Sequence, residues 1–348
     1  MAKKSKVDDW INSRRELKKS LNADLLFEEL TNGNRVSLGK AITLIESERP
    51  QDKNEANKLI RACLALKKKS WRIGITGVPG VGKSTFIEAL GSLLIESGKK
   101  VAVLAVDPSS SVSGGSILGD KTRMEKLSSN DNVFVRPSPS GLTLGGIAKH
   151  TRETIFLCEA AGYDIILIET VGVGQSETLV HSMVDMFALL HLAGAGDELQ
   201  GVKRGIMELA DVVAITKVED NNKMNAKVAK SNLSNALHLF PQKENNCIVK
   251  VILTSALENV GIEEFWNNVI AYFESTLRSG WYELNRKNQE ITTFQNHLKE
   301  LSSNYFSDNI ENYTSMLSEI ENQIEIGEMS GYLAAEEFFL KISNKKRE

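Results

Sequence analysis

One run of nine residues carries the most specific chemistry in the chain: Gly77, Val78, Pro79, Gly80, Val81, Gly82, Lys83, Ser84 and Thr85. It satisfies G-x-x-x-x-G-K-[ST] and stands between a β-rich apolar run at residues 73–76 and a helical pattern at residues 86–96, the context the motif requires. Glycines at 77, 80 and 82 let backbone N–H groups wrap phosphate oxygens with no Cβ in the way, and a helix N-terminus adds partial positive charge. Lys83 is expected at the β- and γ-phosphates, and the Ser84 hydroxyl on Mg²⁺. The bland alternative is a Gly-rich turn that merely starts a helix; so complete a match favours a bound nucleoside triphosphate.

Carboxylates fall where the apolar runs end. Asp107 follows residues 101–106, and Glu169 follows residues 165–168. From a strand's carboxyl end beside the phosphate loop, a carboxylate can hold Mg²⁺ or its water shell. Each also has an ordinary reading, Asp107 before Pro108 as a turn initiator and Glu169 as a surface acid. Spacing alone says less about Asp120, within Gly119-Asp-Lys-Thr-Arg123.

Glu169-Thr-Val-Gly172 has the shape of the Asp-x-x-Gly switch of GTPases, with Glu in place of Asp. Gly172 can offer a backbone N–H to the γ-phosphate and relax once that group is gone. Two further segments stand where GTPases read guanine: Thr216-Lys217-Val-Glu219 and Thr254-Ser255-Ala256-Leu257. A carboxylate two residues after the Lys accepts hydrogen bonds from guanine N1–H and its 2-amino group, which adenine cannot supply. The usual residue there is Asp. Glu219 is one methylene longer, so either the loop shifts or Asp220 does the work through a one-residue slip; Lys217 and Glu219 also suit solvated loop charges.

These residues need a scaffold. Residues 73–76, 101–106, 133–136, 165–168, 212–216 and 249–254 read as strands alternating with helical segments, apolar on both faces. The predicted fold is α/β: a P-loop NTPase with a mostly parallel central sheet flanked by helices, and phosphate sites at the strands' carboxyl ends. The expected organisation is an N-terminal helical extension at 1–70, a nucleotide-binding domain at 71–275 and a C-terminal helical arm at 276–348. In that arm Ile310, Tyr313, Leu317, Ile320 and Ile324 repeat at spacings of 3 and 4, about two heptads, which suits a helix on its own domain before a dimer seam.

With 42 Lys and Arg against 45 Asp and Glu, the net charge of −3 gives no electrostatic reason to expect nucleic acid or an anionic membrane as partner. No apolar run approaches the ~18 residues of a membrane span. The first residues have neither a signal peptide's apolar core nor a transit peptide's composition, so a cytoplasmic location is expected. Cys63, Cys158 and Cys247 are widely spaced and read as reduced core thiols.

The chain resembles the methylmalonyl-CoA mutase-associated GTPase family, formerly described as arginine/ornithine transport ATPases. The resemblance rests on Ala105-Val-Asp-Pro-Ser-Ser110, Gly114-Gly-Ser-Ile-Leu-Gly-Asp-Lys-Thr-Arg-Met124, Leu157-Cys-Glu-Ala-Ala-Gly162, Glu169-Thr-Val-Gly-Val-Gly-Gln-Ser-Glu177 and Gly194-Ala-Gly-Asp-Glu-Leu-Gln-Gly201. It implies a GTP/GDP cycle, with Asp107, Asp120 and Glu169 around Mg²⁺ and residues 192–203 as a further switch. It also implies a homodimer joined by C-terminal helices, and an adenosylcobalamin-dependent acyl-CoA mutase as partner. Adenosylcobalamin then belongs to the partner enzyme.

Rival readings are a nickel-delivery GTPase, a P-loop small-molecule kinase and an adaptor with a decayed nucleotide site. Five scattered histidines argue against the first, the want of a recognisable arginine lid and acceptor pocket against the second, and intact Lys83, Ser84 and Glu169 against the third. Arg123, Gln175 and Lys203 are candidates to become catalytic on closure, since Arg and Lys stabilise transition-state charge and Gln can orient water; each also suits an ordinary surface. Lys203→Ala is expected to lower partner-stimulated turnover by about 10²-fold; unchanged basal and stimulated rates would remove Lys203 from the machinery.

Overall fold

The computed structural model describes residues 22–106, 124–137, 144–170, 176–192, 204–219, 222–308 and 314–325. Three helices come first: α1 (Ala23–Thr31), α2 (Arg35–Ile45) and α3 (Pro50–Ala65). Their starts follow local rules. Asn22 accepts the N–H groups of Asp24 and Leu25, Asn34 those of Val36 and Ser37, and Pro50 occupies the first turn of α3, where no amide donor is needed.

Seven strands then build one sheet: β1 (Trp71–Gly77), β2 (Val101–Val106), β3 (Val133–Arg136), β4 (Ile165–Thr170), β5 (Met186–Leu192), β6 (Val212–Thr216) and β7 (Lys250–Leu253). They lie in the order β3-β2-β4-β1-β5-β6-β7, and all six neighbouring pairs are parallel. Between them come α4 (Lys83–Glu96), α5 (Glu125–Ser128), α6 (Leu144–Ala160), α7 (Ser176–His181), α8 (Arg204–Leu209) and α9 (Lys223–Leu237). After β7 follow α10 (Ile262–Ser279), α11 (Trp281–Asp308) and α12 (Thr314–Glu325).

The sequence reading names six strands and misses β5. Its residues, Met-Phe-Ala-Leu-Leu-His-Leu, include no β-branched side chain and several strong helix formers. Pairing on both sides, with β1 and β6, overrides that local preference.

Side chains alternate across the sheet as the pleat demands. Ala102, Leu104, Ile166, Ile168 and Phe187 share one core with α1–α3, α6 and α7. Ile73, Ile75, Val103, Leu167 and Ala188 face the opposite core with α4 and α10, where Trp71 stacks on Phe273 at 4.3 Å between ring centroids. The helices before β1 therefore bury their apolar faces in the same core as the sheet. Burial pushes the Cys63 thiol up to about 12 and raises that of Cys158. Cys247, expected in the core, is only half-buried, 3.9 Å from the Ser275 hydroxyl.

Register is fixed by a repeated device at the strands' amino ends. Asp164, Asp185 and Asp211 immediately precede β4, β5 and β6. Each carboxylate accepts a backbone N–H on a neighbouring chain segment, from Lys100 at 2.8 Å, Arg72 at 2.9 Å and Phe187 at 2.8 Å. Each Asp N–H in turn donates to the carbonyl of that same residue.

Around Asp185 the device grows into a buried ionic cluster. Arg286 reaches both Asp185 oxygens at 2.7 Å, Glu159 at 3.2 Å and the Ser70 carbonyl at 2.6 Å, and Arg72 grips Glu159 at 3.0 and 2.9 Å. Burial pushes the Glu159 carboxyl up, but the Arg72 and Arg286 charges and the hydrogen bonds outweigh it, and the group lies below its ordinary value.

The chain divides into two compact units, Met1–Arg286 and Lys287–Glu348. In the second, Ile291, Phe294, Leu298 and Leu301 of α11 are all exposed at spacings of 3, 4 and 3, a stripe that the sequence reading did not name and that is out of phase with the 310–324 repeat. No helix among the described residues is long and apolar enough to cross a membrane.

Arg286→Ala should cost about 3–5 kcal/mol, the usual consequence of stranding buried charges, read as a lower urea midpoint. The lowered Glu159 pKa contributes stability above its unfolded value that is lost as pH falls through the folded one. Acid unfolding of Arg286→Ala should accordingly begin at higher pH.

Candidate functional site

From β1 the chain builds β2 and β3 on one side and, after β4, crosses to build β5–β7 on the other. The carboxyl end of β1 thus opens at the sheet's switch point, between β4 and β5, where α/β sheets bind ligands. The loop that leaves it is the Gly-rich run. A Cβ on Gly77 would lie 2.7 Å from the Leu190 carbonyl oxygen and 2.9 Å from Val81 Cγ1, so only glycine passes there. Gly82, at φ +94°, takes the left-handed conformation that hands the chain to α4, whose N-terminus points its free amides into the loop.

Lys83 opens α4, and its ammonium donates to the Gly77 carbonyl at 2.7 Å and the Val78 carbonyl at 3.4 Å. Burial lowers its pKa, opposed by the charges of Glu169 and Glu177. The next residue, Ser84, donates to Glu169 Oε1 at 3.4 Å, and Glu169 is buried at the end of β4. Behind them Thr170 donates to the Thr76 hydroxyl at 2.9 Å and ties β4 to β1. A hydroxyl and a carboxylate side by side form a hard-oxygen pair of the kind Mg²⁺ takes. Val78 and Thr85 flank the cradle, with Pro79 exposed at its crest.

On the β6–β7 side two loops lean on the phosphate loop. The Thr216 hydroxyl donates to the Val81 carbonyl at 2.7 Å, and Lys217 Nζ to the Gly80 carbonyl at 2.7 Å. Val218 N–H donates to the Thr254 carbonyl at 3.1 Å, which sets the second loop beside the first. There Ser255 is buried and paired with Val260, Ala256 is half-buried and Leu257 is exposed. Glu219, half-buried, has its N–H on Asn222 Oδ1 at 2.9 Å.

The structure thus brings together Gly77, Gly80, Gly82, Lys83, Ser84, Glu169, Thr216, Lys217, Glu219 and Ser255 at one rim. Asp107, Asp120, Arg123, Gly172, Gln175 and Lys203 lie outside the described residues. Glu177 was not singled out from sequence: it is buried in the first turn of α7, and its charge bears on Lys83. The signal was an acid following the glycine-rich switch, inseparable in sequence from a solvated helix start.

Residues 38–311 match the family described as "Methylmalonyl Co-A mutase-associated GTPase MeaB". The chain belongs to this family. GTPase ArgK of Escherichia coli is 46% identical over 271 residues, 78% of this chain and 82% of that protein. A probable GTPase of Mycobacterium tuberculosis is 45% identical over 322 residues, covering 92% and 95%. The mouse protein named methylmalonic aciduria type A homolog, mitochondrial, is 45% identical over 287 residues, covering 80% and 69%. Among solved structures, "LAO/AO transport system kinase" aligns with a TM-score of 0.77 at 34% identity, covering 92% of this chain and 97% of that one. The chain is therefore a GTP hydrolase with a P-loop fold.

Lys83→Ala should lower GTP turnover by about two to three orders of magnitude, as loss of one preorganised positive donor does. Among the described residues Lys83 makes its side-chain hydrogen bonds to loop carbonyls, so thermal unfolding should move little; a variant that unfolds early would show the Lys to be structural.

Proposed function

We propose that this GTPase uses Mg²⁺-dependent GTP hydrolysis to gate the loading and protection of adenosylcobalamin in an acyl-CoA mutase, with methylmalonyl-CoA mutase the first client to test. The observation that carries this reading is the match of residues 38–311 to a mutase-associated family, in a chain whose Lys83, Ser84 and Glu169 stand together. Adenosylcobalamin belongs to the client.

In this mechanism Lys83 moves from the Gly77 and Val78 carbonyls to the β- and γ-phosphates, where its charge offsets that of the phosphoryl group in transit. Ser84 and Glu169, with Asp107 and Asp120, would hold Mg²⁺, which would supply positive charge against that of the phosphates. Gly172 senses the γ-phosphate. Arg123, Gln175 and Lys203 complete the site only when the client is bound, so turnover by the protein alone is slow.

Thr216, Lys217 and Glu219, with Ser255, Ala256 and Leu257, form the guanine site, and the Glu219 carboxylate accepts from the base. The protein acts as a cytoplasmic homodimer. The exposed stripe Ile291, Phe294, Leu298 and Leu301 supports that assembly, since its spacing matches a helical seam that a second copy can cover.

The test is hydrolysis by the purified protein with and without the mutase of the same organism, with ATP as the control nucleotide. We expect stimulation with GTP, by about 10³-fold as for other partner-activated GTPases, and none with ATP. Absence of stimulation would overturn the mutase as client, and equal rates with ATP would overturn guanine selection.

A further inference from the structure

The loop that follows β6 must become a rigid reading surface, and its own backbone resists this. Lys217 sits at φ +57°, a left-handed conformation uncommon for a residue with a long side chain and sustained only where neighbours fix it. Two contacts do so. Its ammonium reaches Gly80, and its carbonyl accepts a hydrogen bond from Asn222 Nδ2 at 2.7 Å.

The other end of the same amide closes the loop from the opposite side: Asn222 Oδ1 accepts the Glu219 N–H at 2.9 Å. Asn222 N–H also donates to the Glu219 carbonyl at 3.0 Å, so two hydrogen bonds join the two residues. Asn222 occupies the N-cap of α9, where an asparagine ordinarily accepts the helix's free amides, yet its side chain makes no cap hydrogen bond. Donor and acceptor are both turned to the loop instead.

We propose that Asn222 is a specificity-determining positioning residue, which holds the Glu219 carboxylate at the base and Lys217 across the phosphate loop. This rests on the reading of Glu219 as the guanine acceptor. Glu219 carries one more rotatable bond than the Asp usual at such a site, and a longer side chain loses more conformational freedom when it reads a base. Anchoring its backbone fixes the point from which that side chain reaches and removes the backbone's share of the ordering cost. Only an amide serves: Asp at 222 keeps the acceptor but faces the Lys217 carbonyl with a second oxygen, and Ala supplies neither partner.

The experiment compares kcat/KM for GTP and for ATP in the wild-type protein, Asn222→Ala, Asn222→Asp and Glu219→Gln. We expect Glu219→Gln to collapse the GTP-to-ATP ratio. Asn222→Ala should lower it about tenfold, the effect of two lost hydrogen bonds, through kcat/KM for GTP alone. Asn222→Asp, nearly isosteric, should lower it too and gives the same readout if Asn222→Ala fails to fold.

If Glu219→Gln collapses the ratio while neither Asn222 variant moves it, the positioning role is overturned and the guanine reading stands. If Asn222 variants depress both nucleotides equally, the residue is merely structural and the inference fails. A ratio unmoved by Glu219→Gln would sink the reading of Glu219 as the guanine acceptor, and this inference with it.

Discussion

Everything at the phosphate loop depends on the register of β1 between β4 and β5. Parallel strands have no hairpin to set their alignment, because each partner arrives from a distant crossover. Here an aspartate before each of β4, β5 and β6 reads the backbone of its neighbour in both directions, carboxylate to N–H and N–H to carbonyl. For β1 that neighbour is Asp185 on Arg72. The same register pairs Gly77 with Leu190 at the other end, where the close approach of the Leu190 carbonyl forbids any Cβ. A slip of one residue would bring a side chain to that carbonyl and turn the loop away from the cradle.

The two ends of β1 put buried charge to opposite uses. At the amino end Arg72, Arg286, Asp185 and Glu159 satisfy one another with bidentate and near-bidentate contacts, so the desolvation cost is offset and the cluster is inert. At the carboxyl end Lys83 faces Glu169 and Glu177 through their fields and is hydrogen-bonded to neutral carbonyls. An ammonium on neutral acceptors gains when a polyanion arrives. Buried acids near the same spot oppose a bare phosphate and favour one whose charge a cation has already reduced.

Much of this was legible in the sequence, for physical reasons. A P-loop is a backbone device: the glycines are forced by close approach and by left-handed φ, so residue type reports geometry directly. The six strands rich in Val and Ile announce themselves for the same kind of reason. β5 does not, because Met186, Ala188, Leu189 and Leu190 carry helix propensity, and only two-sided pairing makes a strand of them. The aspartate device is visible as Asp164, Asp185 and Asp211 before apolar runs, yet its partners lie up to 113 residues away and no local pattern names them. Asn222 was missed because an asparagine before a helix reads as a cap, and the structure turns its amide to the loop instead. Glu177 was hidden for the converse reason, since burial of an acid is decided by tertiary packing.

The ties between loops also constrain how nucleotide state can be reported. Thr216 and Lys217 bind the base-side loop to the carbonyls of Val81 and Gly80, and Val218 binds the second loop to the first. The proposed base site and the phosphate loop are thus tied together. GTP and GDP carry the same base, so contacts on that side give equal affinity for both, and a ligand that does not discriminate between two states cannot shift their balance. In the proposed mechanism any difference in shape between the two nucleotide forms therefore arises where the γ-phosphate would be felt, at Lys83, Ser84 and Glu169 on the β4 side. β2 and β4 end side by side next to those groups, and in the proposed mechanism a client that is to read the nucleotide reads it there.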